Sequence, residues 1–381
     1  MNFNFTEEQQ QLADALRRYL DKNYGFEARQ AIVKTPAGVS AQHWNAFVEL
    51  GLTALPVPAE QGGFDGAPFD MLVVMQELGR ALVVEPYWAT AVGVEALKLA
   101  GGAAEPENAE NAENAALLER VASGEIKLAA AFHEPQSRYD LFSLETQAKE
   151  TGDGFALTGT KSVVQHGAQA SYWIVPARFA GEVALFVVAR DAQGVEVSDY
   201  RTIDGQRAAT LTFKEAHARR LGDAHAGATT WEKIADYATF LLCAEAVGAM
   251  DALNHATVEY TKTRQQFGVP IARFQALQHR MAEMLIHAEQ ARSLTYLAAA
   301  RYSSESVEER RRAISAAKVR VGQAARFIGQ QAVQLHGGMG VTNEVAAAHL
   351  FKRLAIIETT LGDVDHHLER FASLPGFAQA A

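Results

Sequence analysis

Glu245 is the only charged residue between Phe240 and Met250, a stretch otherwise made of apolar residues and glycine. A carboxylate taken out of water without a partner is costly, so it needs either a counter-charge or a job. The job would be proton abstraction as a general base in an apolar pocket. The counter-charge would be a buried arginine or a group across a subunit interface. Thr263-Arg264-Gln265-Gln266-Phe267-Gly268 closes a long helical pattern. An arginine there complements the helix dipole, and Gly268 suits the position just past the helix. Gly337-Gly338-Met339-Gly340 follows a second long helix and reads by itself as a stop signal. His366 and His367 are adjacent, so on a helix their rings point roughly 100° apart and do not share a metal. No Walker loop, GxGxxG after a strand, HExxH or GxSxG occurs, and the single cysteine, Cys243, excludes an internal disulfide and a cysteine metal site. No metal is expected.

These residues sit in three segments. The chain has 381 residues, 48% hydrophobic and 21% charged, which suits two or three ordinary globular domains. Residues 1–125 read as an all-α domain. Thr6 and Gln9 form a capping box, and Leu12, Leu16 and Leu20 then mark one helix face. Asp70 to Leu82 and Ala89 to Leu99 look similar. Residues 103–117 repeat Asn-Ala-Glu and read as an exposed loop or helix extension. Residues 126–226 read as a small β-barrel or sandwich, with short apolar runs divided by Gly and Asp turns. Residues 227–381 read as a four-helix bundle, with helices near 230–263, 272–302, 306–335 and 345–372. The fold class is therefore α+β, in the order helices, strands, helices.

The net charge of −10 argues against nucleic acid as a partner. The N-terminus has no signal-peptide pattern, the apolar runs are too short to span a bilayer, and the lone cysteine suits a reducing compartment. The expectation is a cytoplasmic protein without a membrane partner.

The stretch from Thr263 to Met284, TRQQFGVPIARFQALQHRMAEM, resembles a signature of the FAD-dependent acyl-CoA dehydrogenase family. Gln334 to Thr342, QLHGGMGVT, resembles its second C-terminal signature, and TEEQQQLADALRRYL and EQGGFDG resemble its N-terminal part. The likeness runs from about Phe5 to Phe371 and shares the α–β–α order. It implies that Arg264 meets the FAD pyrophosphate of a neighbouring subunit, where a fixed planar cation suits a diphosphate. It also implies that Phe267 lines the adenosine region, that Gln275 contacts the same cofactor, and that Gln334, Gly337 and Gly338 approach the pyrophosphate and adenine end. Phe132-His133-Glu134-Pro135 and Val163-Val164-Gln165 align with the family's flavin-facing strands. His133 and Gln165 would hydrogen-bond the ring edge, although both depart from the family's usual residues. Asp236 matches a position that touches the CoA moiety.

The catalytic base departs from the pattern. The family's usual glutamate near the C-terminus is Gly362 here, and the alternative position early in the first bundle helix is Ala238. Glu245, seven residues from Ala238, and Asp363, beside Gly362, are the replacement carboxylates. The main-chain N–H at Gly362 would still serve as an oxyanion donor to the thioester. Glu358 reads as a surface or packing residue. The implied reaction is α,β-dehydrogenation of an acyl-CoA to a trans-2-enoyl-CoA, with electrons passed to an electron-transfer flavoprotein. The implied assembly is a homodimer or homotetramer. Two other readings stand beside it. One is an FAD-binding partner subunit of a heterotetramer with a paralogous chain, since the sequence also resembles the small subunit of pimeloyl-CoA-type dehydrogenases. The other is an oxygen-reactive flavoenzyme of the same fold.

Overall fold

The computed structural model describes residues 5–100, 109–152 and 154–375. Residues 103–108 of the Asn-Ala-Glu stretch lie outside them; the remainder starts helix α6. Six helices come first: α1 (Glu7–Asn23), α2 (Phe26–Lys34), α3 (Ala41–Glu49), α4 (Pro68–Arg80), α5 (Tyr87–Ala100) and α6 (Ala109–Ala122). Seven strands follow: β1 (Leu128–Ala130), β2 (Gln147–Thr151), β3 (Gly154–Gln165), β4 (Tyr172–Phe179), β5 (Glu182–Ala189), β6 (Val195–Arg201) and β7 (Arg207–Leu221). The rest is α7 (Gly227–Thr263), a two-residue-per-strand hairpin β8–β9 (Gln265–Gln266, Val269–Pro270), α8 (Gln275–Tyr302), α9 (Val307–His336), α10 (Ala346–Thr359) and α11 (Val364–Ala372). The fold class is α+β, with helical ends and a β middle, as the sequence pattern implies.

By contacts the chain divides into two compact units: 1–31, 68–83 and 239–381 in the first, 32–67 and 84–238 in the second. In the second, β4, β2, β3, β7 and β5 pair in a ring that closes through β4–β5, so the β segment is a barrel with β1 and β6 added at its sides. Its core includes Trp173, Phe186 and Phe213, all essentially inaccessible. β3 bulges between Lys161 and Val164, where Val163 takes a positive φ of 51° and turns outward. A buried ion pair pins the adjacent loop. Lys161 Nζ donates to Glu134 Oε1 at 2.6 Å, and the Glu145 N–H donates to Glu134 Oε2 at 2.6 Å. Burial pushes the Glu134 carboxyl up, but Lys161 and these donors outweigh it and hold the carboxyl below its ordinary range.

In the first unit α4 runs against α7 with almost no space between backbones. A Cβ on Gly79 would lie 2.0 Å from the Glu245 carbonyl oxygen, and one on Gly248 would lie 1.8 Å from that of Gln76. Glycine at both positions is what permits the crossing. The helix expected over 345–372 is instead two, α10 and α11. The break has a local cause: Leu361 and Gly362 both take positive φ, 58° and 110°. The chain leaves the helix there and restarts at Asp363, whose carboxylate caps α11 by accepting from the His366 N–H at 2.9 Å.

Candidate active site

Glu245 projects from the α7 segment that α4 touches. Both its oxygens accept from one guanidinium: Arg353 Nε at 2.6 Å and Arg353 Nη2 at 2.7 Å. The side chains are only 6% and 4% exposed. Of the two situations open to this glutamate, the structure thus places it opposite a buried arginine, supplied by α10. The bidentate guanidinium compensates the carboxylate charge in place and occupies both of its oxygens as acceptors. The α10 partner is 108 positions away in sequence, so no local spacing reveals it.

The loop between α10 and α11 is held by two buried side chains. Lys318 of α9, 1% exposed, donates from Nζ to the Glu358 and Gly362 carbonyls at 2.9 and 2.6 Å. His367 Nε2 donates to the Leu361 carbonyl at 2.9 Å. Burial lowers the Lys318 ammonium to about 8, against the pull of Cys243, Glu358 and Asp363. Lys318 was not among the sequence candidates. Its signal was there: it falls four residues from Ile314 and three from Val321, on the apolar stripe of α9. Within this loop Gly362 is buried, and its N–H makes no hydrogen bond to any described residue. A side chain at this position has no space. A Cβ would lie 2.4 Å from His366 and 2.7 Å from His367. Asp363 is committed to its cap, and Glu358, 7% exposed, pairs with Arg326 at 2.9 Å.

The two signature regions occupy one end of the bundle. Tyr260, a turn before Arg264, stacks on His336 at 4.4 Å between centroids. Arg264 is exposed and forms no salt bridge among the described residues. Phe267, at the tip of the β8–β9 hairpin with φ 54°, is 91% exposed and touches Phe274 edge-on at 6.0 Å. Gln275 and Gln334 are exposed, and a Cβ at Gly337 or Gly338 would meet no atom within 4 Å. A free guanidinium, two amides, open backbone at two glycines and a solvent-facing aromatic ring make a donor set that fits the diphosphate and adenine of FAD.

The remaining candidates lie in the barrel unit. The His133 carbonyl accepts from the Ser162 N–H at 2.8 Å, which ties it to β3 beside the bulge. Burial lowers the His133 imidazole to about 4, so the ring is neutral near pH 7. Gln165 is half-buried at the end of β3 opposite Ala208, and Asp236 is buried, 3% exposed, on α7.

Models of three acyl-CoA dehydrogenase domains match the chain in order: N-terminal over residues 6–125, middle over 129–216 and C-terminal over 225–373. The chain belongs to the acyl-CoA dehydrogenase family. It is 29% identical to the acyl-CoA dehydrogenase IpdE2 of Mycolicibacterium smegmatis, over 96% of this chain and 98% of that one. Among solved structures it resembles the ChsE4-ChsE5 complex of Mycobacterium tuberculosis, with TM-score 0.89, 25% identity and coverage of 99% and 100%. It resembles a variant of the Tcur3481-Tcur3483 steroid ACAD with TM-score 0.88, 27% identity and coverage of 98% and 99%. Acyl-CoA dehydrogenases are oxidoreductases, and that is the chain's class. No helix among the described residues is long and apolar enough to cross a membrane.

Proposed function

We propose that this chain is a subunit of a FAD-dependent acyl-CoA dehydrogenase whose proton-abstracting carboxylate is supplied by a paralogous partner chain. The assembly oxidises an acyl-CoA thioester to the trans-2-enoyl-CoA and passes electrons to an electron-transfer flavoprotein. The observation that carries the reading is the Glu245–Arg353 clamp. The one acidic side chain buried in the apolar part of α7 is already neutralised, the usual position at Gly362 has no room for a glutamate, and Asp363 caps a helix. Solved relatives named as two-component pairs, ChsE4-ChsE5 and Tcur3481-Tcur3483, support a heteromeric assembly.

When bound, FAD accepts the hydride from the substrate Cβ. The roles left to this chain are binding and orientation. Arg264 holds the diphosphate, Phe267 and Gln275 the adenosine side, and Gln334 with the Gly337 and Gly338 backbone the pyrophosphate and adenine end. His133 and Gln165 are placed at the flavin ring edge and Asp236 at the CoA. The unpartnered Gly362 N–H is the oxyanion donor to the thioester; the Leu361–Gly362 peptide that carries it is held by His367 at the Leu361 carbonyl. Co-expression with the paralogue and native mass spectrometry test the pairing. A mixed tetramer with FAD supports it; a homotetramer that bleaches its own flavin with an acyl-CoA supports instead a self-sufficient dehydrogenase with Glu245 as base.

A further inference from the structure

The barrel unit holds a cavity of about 700 Å³ between α6 and the strands β2–β5 and β7. None of the residues assigned above to cofactor, substrate or base lines it. Its walls combine apolar side chains, Leu117 of α6, Phe155, Tyr172 and Val187, with Glu113, Glu150 and His217. Two arginines reach it from β7, and they differ. Arg219 is spent, with Nε 2.6 Å from Glu113 and Nη2 donating to Asn114 at 2.6 Å. Arg220 lies over the Phe155 ring at 6.0 Å, its Nε is buried without a hydrogen-bond partner, and no carboxylate among the described residues pairs with it. A guanidinium keeps its charge at any physiological pH and has five donors to satisfy. An aromatic face contributes only a modest cation–π attraction and no acceptor.

We propose that this cavity is a second ligand site, which takes a small carboxylate with an apolar body. The carboxylate would lie on Arg220 and the body against Leu117, Tyr172 and Val187. The volume lies within the roughly 300–1,000 Å³ usual for small-molecule sites, and a few polar groups set among apolar walls are their usual chemistry. A carboxylate gives Arg220 Nε a charge-assisted acceptor, stronger than a neutral carbonyl, and a second negative charge on the ligand would face Glu113 and Glu150. A monocarboxylate satisfies both constraints.

The test uses 2-naphthoate as the anionic probe and 2-naphthamide as its uncharged counterpart, titrated calorimetrically into the full chain. Saturable one-to-one binding of 2-naphthoate is expected, with the amide binding at least tenfold more weakly, since a charge-assisted pair is roughly twice as strong as a neutral hydrogen bond. Arg220→Gln should weaken 2-naphthoate at least tenfold and leave the amide unchanged. Ala116→Trp, at an exposed position of α6 that lines the cavity, should abolish binding of both, and it decides the matter if Arg220→Gln proves unfolded by circular dichroism. Absence of saturable binding to the parent chain, or equal binding by the parent and Ala116→Trp, would overturn the proposal.

Discussion

Arg353→Met should be among the most damaging single substitutions in the helical unit. The Glu245–Arg353 pair is buried on both sides and makes two short hydrogen bonds, at 2.6 and 2.7 Å. Removing the arginine strands a buried carboxylate without its counter-charge, on the stretch of α7 that packs backbone to backbone against α4. Breaking a buried pair from one side costs about 3–5 kcal/mol. At roughly 2 °C per kcal/mol for a chain of this size, the thermal midpoint should fall by about 6–10 °C. Glu245→Met/Arg353→Met removes both charges and keeps the volume, so it should recover most of that loss, because isosteric apolar replacement of a buried pair is often near neutral. Differential scanning fluorimetry of the parent, both single variants and the double variant gives the coupling energy. If Arg353→Met melts with the parent, or the double variant is worse than either single one, Glu245 does not depend on Arg353, and its description as a neutralised carboxylate fails.

Gly362→Glu, which restores the family's usual residue, should destabilise rather than activate, since its Cβ would press on His366 and His367 and its φ of 110° is strained for any L side chain. A cost of about 2 kcal/mol or more with no gain in acyl-CoA-dependent flavin reduction is expected; a stable, active variant would contradict the loop geometry. Lys318→Met should cost about 1–3 kcal/mol by leaving the Glu358 and Gly362 carbonyls unsatisfied, and hydrogen exchange should rise first at residues 360–363. Acid should destabilise the protein before its carboxylates titrate. Burial lowers His133 to about 4 and His367 well below its ordinary value, while the unfolded chain takes up these protons near pH 6.5. The unfolded state thus binds more protons below that pH, so stability is complete above about 6.5 and declines as pH falls toward 4, by up to roughly 1.4 kcal/mol per unit for each group. A melting midpoint that is flat or rises between pH 6.5 and 5 would contradict it.

The helix–strand–helix order, the long bundle helices and the capping box at Thr6 follow from periodicity and cap chemistry, which are local. β2 and β6 escaped the sequence reading because most of their side chains are exposed or half-exposed, so they carry no apolar run. The α10–α11 break was hidden for a different reason. The apolar period continues through Leu361, and only the backbone conformation at Leu361 and Gly362 interrupts it. At the site, a lone glutamate in an apolar run showed that something had to answer it. That the answer is Arg353 depends on long-range packing of α10 on the bundle. Lys318 shows the converse: its place on an apolar stripe was readable, but its target is a pair of carbonyls, which no side-chain pattern can reveal.

The division of labour between this chain and a partner is tested most directly by anaerobic flavin reduction. The chain is isolated by tag from its own cells, and separately produced alone and reconstituted with FAD. Both samples are then titrated with straight-chain and ring-bearing acyl-CoA thioesters. The expected result is bleaching only in the sample that carries a second acyl-CoA dehydrogenase chain, at a rate unchanged by Glu245→Gln in folded protein. Bleaching of the chain alone, lost on Glu245→Gln, would show that the clamp with Arg353 opens and that this subunit carries its own base.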